Sequence, residues 1–458
     1  MKKLEMKYYR IIMIYLFFLL PSFLTEAASC LSEQAEETIK VIRGPYLQSG
    51  SQTGIIIRWR TDFPTSGRVI YGTSLKTLDR EKTGQKDTTE HIIQLNGLKP
   101  DTKYFYAVGN DHQVFSGPDS IHYFITAPTP LNEKPIRIWA IGDFGTGDSI
   151  SRSVKNAYLK YKSGRHTDVW LMLGDLAYTR GSDEQFQSAM FENMYDELLR
   201  NTVSWPSPGN HDIRSADSET QTGPYYDIFS LPVNGEAGGI PSGTEAYYSF
   251  DYGNVHFISM DTEDTSLEPV SPMIDWLERD LEANALNWTI VFFHHPPYSM
   301  GTHNSDMHWD SGGRMTRIRE NILPVLDAHG VDLVLGGHSH VYERSYLIHN
   351  HYGRARTFKA KTMIRYRKKR YPTAYEKFDG ESGTIYVVCG VSGNRPSAGA
   401  FEHPAMAFGS DQYKGSMAIE VEGNRLYGIF LDTRGEVRDW FRIDKNPRPL
   451  LTTPLWDE

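Results

Sequence analysis

The chain has 458 residues, 48 Lys and Arg against 57 Asp and Glu, and a net charge of -9. At roughly 150 residues per domain, that length predicts two to three domains. Its 39% apolar and 23% charged fractions exclude a fibre or a disordered chain. The acidic balance argues against general nucleic-acid binding, so no nucleic-acid partner is expected. It leaves an anionic substrate open, because a buried cation reverses the local field.

Lys2, Lys3, Lys7 and Arg10 make a basic start, residues 11–20 are almost wholly apolar, and Ala27-Ala28-Ser29 supply small residues. That order predicts a secretory signal peptide over residues 1–29 and a secreted or cell-envelope protein. The apolar run is short against the roughly 20 residues of a spanning helix, which disfavours a membrane anchor. Cys30 follows directly, as in a bacterial lipoprotein cleavage box, although Ala27 stands where Leu is usual. A lipid anchor at Cys30 is therefore the alternative to free secretion. Cys389 lies in the apolar run 384–389 and is expected to be an inert buried thiol. A Cys30–Cys389 disulfide is disfavoured because one partner sits at the mature end. Asn287-Trp288-Thr289 is a lone glycosylation sequon, a weak signal by itself.

Residues 38–127 read as all-β. Short apolar stretches at 54–60, 67–72, 91–95, 104–108 and 122–126 are separated by turn residues at regular spacing, the pattern of a β-sandwich. In Leu98-Lys99-Pro100-Asp101-Thr102-Lys103-Tyr104 the phenol is placed to bond back to the backbone upstream, as in a tyrosine corner. This stretch resembles a fibronectin type III module. Residues 128–135, with Pro128, Pro130 and Pro135, form a linker that suits neither helix nor sheet.

From residue 136 the grammar alternates strand and helix. Strands are predicted at 136–141, 168–173, 255–260, 289–293 and 331–335. Helices are predicted at 151–162, 184–200, 273–281 and 315–328. The second of these helices has Phe186, Met190, Phe191, Met194 and Leu198 at 3–4 spacing. This is α/β grammar over residues 136–445. A basic run, Lys359, Lys361, Arg365, Arg367, Lys368, Lys369 and Arg370, reads as a solvated hairpin, with an anion-steering rim as the functional alternative.

Five polar clusters share one placement. Asp143, Gly174-Asp175-Leu176-Ala177-Tyr178, Gly209-Asn210-His211-Asp212, His294-His295 and Gly337-His338-Ser339-His340 each follow the C-terminal end of a predicted strand, the third of them after a short one at 203–206. That edge is where α/β sheets bind ligands. Imidazole and carboxylate together suit Fe, Zn or Mn, and the two oxygens of Asp175 allow it to bridge two ions. The neighbouring glycines permit close backbone approach.

The blocks Asp143-x-Gly145, Gly174-Asp175-x-x-Tyr178, Gly209-Asn210-His211-Asp212, Val291-x-x-His294 and Gly337-His338-x-His340 resemble the five blocks of metallophosphoesterases. Tyr178 and the N-terminal sandwich narrow the resemblance to purple acid phosphatases, over roughly residues 38–445. Five ordered blocks are highly specific, while any one alone is weak. The resemblance implies an N-terminal all-β sandwich followed by an α/β metallophosphoesterase sandwich of two β-sheets flanked by helices. It implies an iron site of Asp143, Tyr178 and His340, and a second site of Asn210, His294 and His338, with Asp175 between them. The ions would be Fe(III) and a divalent Fe, Zn or Mn, leaving a site of about +2 after two carboxylates and a phenolate.

The activity so implied is acid hydrolysis of small phosphate monoesters by a metal-bound hydroxide. The leaving group would take its proton from His211 or His303, a choice the sequence leaves open. Two departures bear on this shell. Asn304, where plant members often carry a second histidine after His303, puts proton donation and substrate preference in doubt. Asp212 stands where Glu is commoner, which changes little beyond ligand support. His295 reads as structural, and Glu343 and Arg344 as supporting residues. The competing functions are phosphodiester or nucleotide hydrolysis and, remotely, a surface-binding protein with a vestigial site.

Overall fold

The computed structural model describes residues 39–446 apart from 131, 133, 193, 366–372 and 379. The expected signal peptide, Cys30 and the later part of the basic run lie outside the described residues. No helix among the described residues is long and apolar enough to cross a membrane.

The N-terminal part is a sandwich of two sheets. One holds Val41–Gln48, Gly54–Thr65 and Thr88–Asn96; the other holds Arg80–Thr83, Arg68–Gly72, Lys103–Gly109, Val114–Ser116 and Tyr123–Ile125. Alternation drives it: Ile55, Ile57 and Trp59 point inward to meet Val69, Tyr104, Tyr106 and Phe124. The tyrosine corner is present, with the Lys99 amide donating to the Tyr104 hydroxyl at 3.0 Å. Val41–Gln48, Arg80–Thr83 and Val114–Ser116 are strands that the sequence pattern had not suggested. The last two are short and largely exposed, so no apolar alternation marks them.

The remainder is two seven-stranded sheets packed face to face. The first runs in the order Ser204–Pro206, Val169–Met172, Ile136–Ile141, Gly415–Glu422, Arg425–Asp432, Val437–Lys445, Ala374–Lys377. The second runs Tyr248–Tyr252, Val255–Ser259, Trp288–Phe292, Leu333–Gly336, Ile385–Cys389, Tyr342–Ser345, Met406–Ser410. Aromatic pairs stitch the two together. Trp205 stacks on Phe250 at 3.7 Å between centroids, and Tyr342 on Phe430 at 3.9 Å. Each such pair contributes roughly 0.5–1.5 kcal/mol beyond its buried area. Arg344 of the second sheet and Asp439 of the first form a buried two-point ion pair at 2.6 and 2.9 Å, to which the Tyr342 hydroxyl adds a bond at 2.9 Å. Cys389 is buried, and burial pushes its thiol up to about 12.

The helices Ser149–Lys162 and Pro272–Ala283 cover the expected segments. The first is capped by Asp148, whose carboxylate accepts from the amides of Ile150 and Ser151. The expected continuous helix over 184–200 is instead three pieces: Asp183–Phe186, a π-helical turn Gln187–Phe191, and Asp196–Asn201. Its apolar residues are buried as the 3–4 spacing demands. Packing against the sandwich breaks the period, because Phe191 sits 5.0 Å from the Tyr46 ring and under the Arg43 guanidinium. The segment expected over 315–328 is helical with a π turn at Ile318–Ile322, just before Pro324, whose ring cannot donate the usual bond.

The sandwich grips this region. Arg43 and Arg60 both bond the Asp183 carboxylate, at 2.9 and 2.6 Å, and Arg43 also reaches Gln187 at 2.7 Å. The Tyr46 hydroxyl donates to the Ile228 carbonyl, and the Tyr106 hydroxyl to that of Arg200. Asp183 lies five residues past Tyr178, so the sandwich holds the segment that carries a predicted site residue.

Candidate metal centre

The parallel strands ending at Ile141, Met172 and Pro206 are neighbours in the first sheet; those ending at Phe292 and Gly336 are neighbours in the second. Their C-terminal ends face one another, and all seven residues expected as ligands converge there. Asp143, Asp175 and His338 take left-handed backbone conformations (φ 56, 55 and 66°), which turn each side chain sharply off its strand. Two glycines make room: a Cβ on Gly209 would collide with the Asp175 carboxylate, and one on Gly337 would lie 2.5 Å from Asp143 Oδ2.

The residues form two sets. In the first, the Tyr178 hydroxyl donates to Asp143 Oδ1 at 3.0 Å, and His340 Nε2 lies 3.5 Å from the same oxygen. In the second, Asn210 Oδ1 lies 3.1 Å from both His294 Nε2 and His338 Nδ1, which are 3.2 Å from each other. Asp175 stands between them, its Oδ1 3.4 Å from His294 Nε2, and Asp143, Asp175 and His294 place ligand atoms within 4.8 Å of one another.

The outward bonds of the rings define their chemistry. His294 Nδ1 faces the Leu173 carbonyl at 2.9 Å, so it carries the proton and Nε2 presents a lone pair to the centre. His338 Nε2 meets Ser311 Oγ at 2.6 Å, which directs its Nδ1 inward toward Asn210 and His294. His294 Nε2, His338 Nδ1 and the Asn210 amide oxygen thus crowd one point, where their lone pairs repel unless a proton or a cation lies between them. A cation resolves that repulsion, and ligand atoms about 3.3 Å apart are what four donors around an ion at roughly 2.0–2.1 Å would give.

The first set makes the same demand. Burial, then the charges of Asp143 and Asp175, push the Tyr178 phenol well above its usual range, so only a positive ion can make it a phenolate. Burial and then the neighbouring imidazoles hold His338 well below its usual range, keeping it a neutral donor. Burial alone would lower His294, but the Asp175 and Asp143 carboxylates outweigh it and raise it. The residues therefore fit two cations.

Around this core the predicted shell divides. His211 Nδ1 donates to the Thr179 carbonyl at 2.7 Å, its amide bonds Asp175 Oδ1 at 2.9 Å, and its Nε2 lies 3.9 Å from Asp175 Oδ2. His303 stacks on the His338 ring at 4.0 Å, with Nδ1 2.8 Å from Asp310 Oδ1. Asp212 is wholly buried and accepts from the amides of Leu176, Ala177 and Gly209, locking the second and third loops together. His295 is buried; its Nδ1 meets Thr262 Oγ1 at 3.0 Å, its Nε2 lies 3.4 Å from Glu263, and its ring backs His338. Glu343 accepts from Ser299 Oγ at 2.6 Å and the Met300 amide at 3.1 Å, supporting the loop before His303.

Three contributors escaped the sequence reading. Asp310 and Ser311 hold His303 and His338, and Arg395 lies over the Tyr178 ring with Cζ 4.5 Å from its centroid. Asp310-Ser311-Gly312-Gly313 was a visible polar and glycine-rich turn. Nothing local marked Arg395.

Comparison with known proteins bears on the fold and the family. Residues 136–342 match the family described as calcineurin-like phosphoesterase, and residues 43–124 match the purple acid phosphatase N-terminal domain. Purple acid phosphatase 15 of Arabidopsis thaliana is 27% identical over 342 residues, 68% of this chain and 55% of its own length. Purple acid phosphatase 21 of the same plant is 28% identical over 303 residues, 63% of each chain. The chain thus spans between 55% and 63% of the length of these two relatives. Among solved structures, a purple acid phosphatase from yellow lupin (Lupinus luteus) seeds superposes with a TM-score of 0.69 at 18% identity, covering 89% of this chain and 77% of its own. A structure of PhoD does so at 0.62 and 14%, covering 87% and 89%. At these identities the structural likeness speaks for the fold alone.

Proposed function

Since the chain belongs to the purple acid phosphatases of the metallophosphoesterase superfamily, we propose that it is a dinuclear acid phosphatase hydrolysing small phosphate monoesters. The observation that carries this reading is the pair of ligand sets meeting at Asp175. Asp143, Tyr178 and His340 would hold Fe(III), and Asn210, His294 and His338 a divalent Fe, Zn or Mn, with Asp175 bridging. When bound, such ions supply Lewis-acid charge neutralisation of the phosphoryl group and an acidified water as nucleophile.

The chain's own residues supply the rest. His303 stacks on the His338 ring and its Nδ1 is held by Asp310, so its Nε2 is the atom left to carry a proton to the leaving oxygen. Asp310 fixes that tautomer and balances the imidazolium charge. His211 has only a carbonyl behind it, and burial lowers its proton affinity despite Asp175, which suits it to hydrogen-bonding a phosphoryl oxygen rather than to proton donation. His303 is therefore the preferred donor. Residues 1–29 and Cys30 fit secretion or an envelope location, with lipidation at Cys30 as the anchored form.

The test is metal analysis and a visible spectrum of purified protein, followed by rates on a monoester and a diester panel. Two metals per chain, one of them iron, with faster monoester turnover are expected. A clear preference for diesters would overturn the substrate assignment, and metal-loaded protein inert on the whole panel would overturn the enzyme reading.

A further inference from the structure

Arg395 is an arginine without an internal task. It is half-buried, its Nε is buried with no hydrogen-bond partner, and no carboxylate pairs with it among the described residues. Burying part of a guanidinium without an acceptor costs free energy, and here the group lies beside the candidate centre. Arg395 does not reach this place by default. The Lys414 ammonium donates to the Arg395 carbonyl and to Ser397 Oγ, at 2.5 and 2.6 Å. The Ser392 amide bonds the Gly142 carbonyl at 3.2 Å, and the Asn394 amide bonds Thr146 Oγ1 at 3.3 Å. The loop is thereby pinned to the strand end that delivers Asp143, and its guanidinium is set over one ligand ring.

Its surroundings are directional. Arg395 lies 4.5 Å over the Tyr178 ring, and the His211 ring meets the same phenol edge-on, also at 4.5 Å. The planar donor fork thus lies over the face of a ring that points into the centre. Arginine forks bind phosphate and carboxylate oxygens in pairs. Lys414 stands behind it, holding the Arg395 carbonyl.

We propose that Arg395 forms, beside Tyr178, a subsite for a second anionic group of the substrate. The site then favours phosphate esters or anhydrides with a further negative group next to the transferred phosphoryl. This rests on the phosphatase reading and specifies its substrate class. The alternative, that the guanidinium only packs on the phenol, predicts a spectral change without a change in substrate preference.

The experiment compares metal-replete wild type, R395A and R395K on inorganic pyrophosphate and on phenyl phosphate, whose leaving group carries no second anion before reaction. Calorimetric titration with pyrophosphate and with inorganic phosphate runs alongside, and melting curves report folding. In R395A the ratio of kcat/KM for pyrophosphate to that for phenyl phosphate should fall by about tenfold or more, the scale of one charge-assisted hydrogen bond. Pyrophosphate affinity should fall more than phosphate affinity, and R395K should recover part of both. An unchanged ratio with unchanged relative affinities would overturn the subsite, whether or not the visible band moves. A wild type that hydrolyses neither compound would sink the phosphatase reading, and the two titrations would still decide the subsite.

Discussion

The Arg344–Asp439 pair offers the sharpest test of how the two sheets are held together. Arg344 is 2% exposed, bonds Asp439 at two points, and shares it with the Tyr342 hydroxyl. Replacing Asp439 by Ala removes three bonds and strands a buried guanidinium, left with the Ser345 carbonyl and no carboxylate among the described residues. Breaking one side of a buried pair costs about 3–5 kcal/mol. Spread over a domain of a few hundred residues, at roughly 2–4 °C per kcal/mol, this lowers Tm by some 6–20 °C. The double variant R344M/D439L removes both charges and should recover most of that loss, because apolar replacement of a whole buried pair is close to neutral. Thermal unfolding by circular dichroism on wild type, both single variants and the double variant closes the cycle. A D439A shift under about 2 °C, or a double variant no better than the sum of the singles, would refute the claim that this pair is a costly buried charge joining the sheets.

The other predictions concern the site and its pH behaviour. Tyr178→Phe should abolish the visible band while the protein remains folded; a band that survives would exclude the phenolate assignment. Asp310→Asn should reduce kcat by about 10²–10⁴-fold, the worth of a lost general acid, and flatten the alkaline limb of the pH–rate profile, whereas a loss in KM alone would point to substrate binding instead. His256 provides a pH signature of stability. Burial would lower its pKa, but its bonds to Asp251 at 2.7 Å and Asp280 at 2.9 Å raise it to about 9. Because the folded value exceeds the unfolded one of about 6.5, its stabilisation is complete below about 6.5 and fades as pH rises through about 9. His256→Gln should remove that slope from unfolding free energies measured between these limits, and an equal slope in both proteins would refute it.

The sandwich and the α/β sheets were legible because each rests on local alternation. The seven ligand positions were legible because glycine-flanked polar clusters interrupt apolar strands, an arrangement with no use in a core. Other features were hidden for identifiable reasons. The first sheet depends on Gly415–Glu422 pairing with Ile136–Ile141, a contact across most of the chain that no local period encodes. The helix over 184–200 broke because Phe191 packs under Arg43 of the sandwich, a partner the period could not include.

Sequence alone therefore determined which side chains to expect at the centre, since only so many residue types bind metals and polar clusters mark strand ends. Tertiary structure decided how those side chains are sorted and supported. Asp175 lies between the two sets because strands of one sheet deliver it opposite histidines from the other. Asp310 distinguishes His303 from His211 only because a loop folds back over His338. Arg395 comes over Tyr178 from more than two hundred residues away. Candidate ligands are written in local chemistry, whereas the placement of Asp310 against His303 and of Arg395 over Tyr178 depends on long-range contacts that exist only after folding.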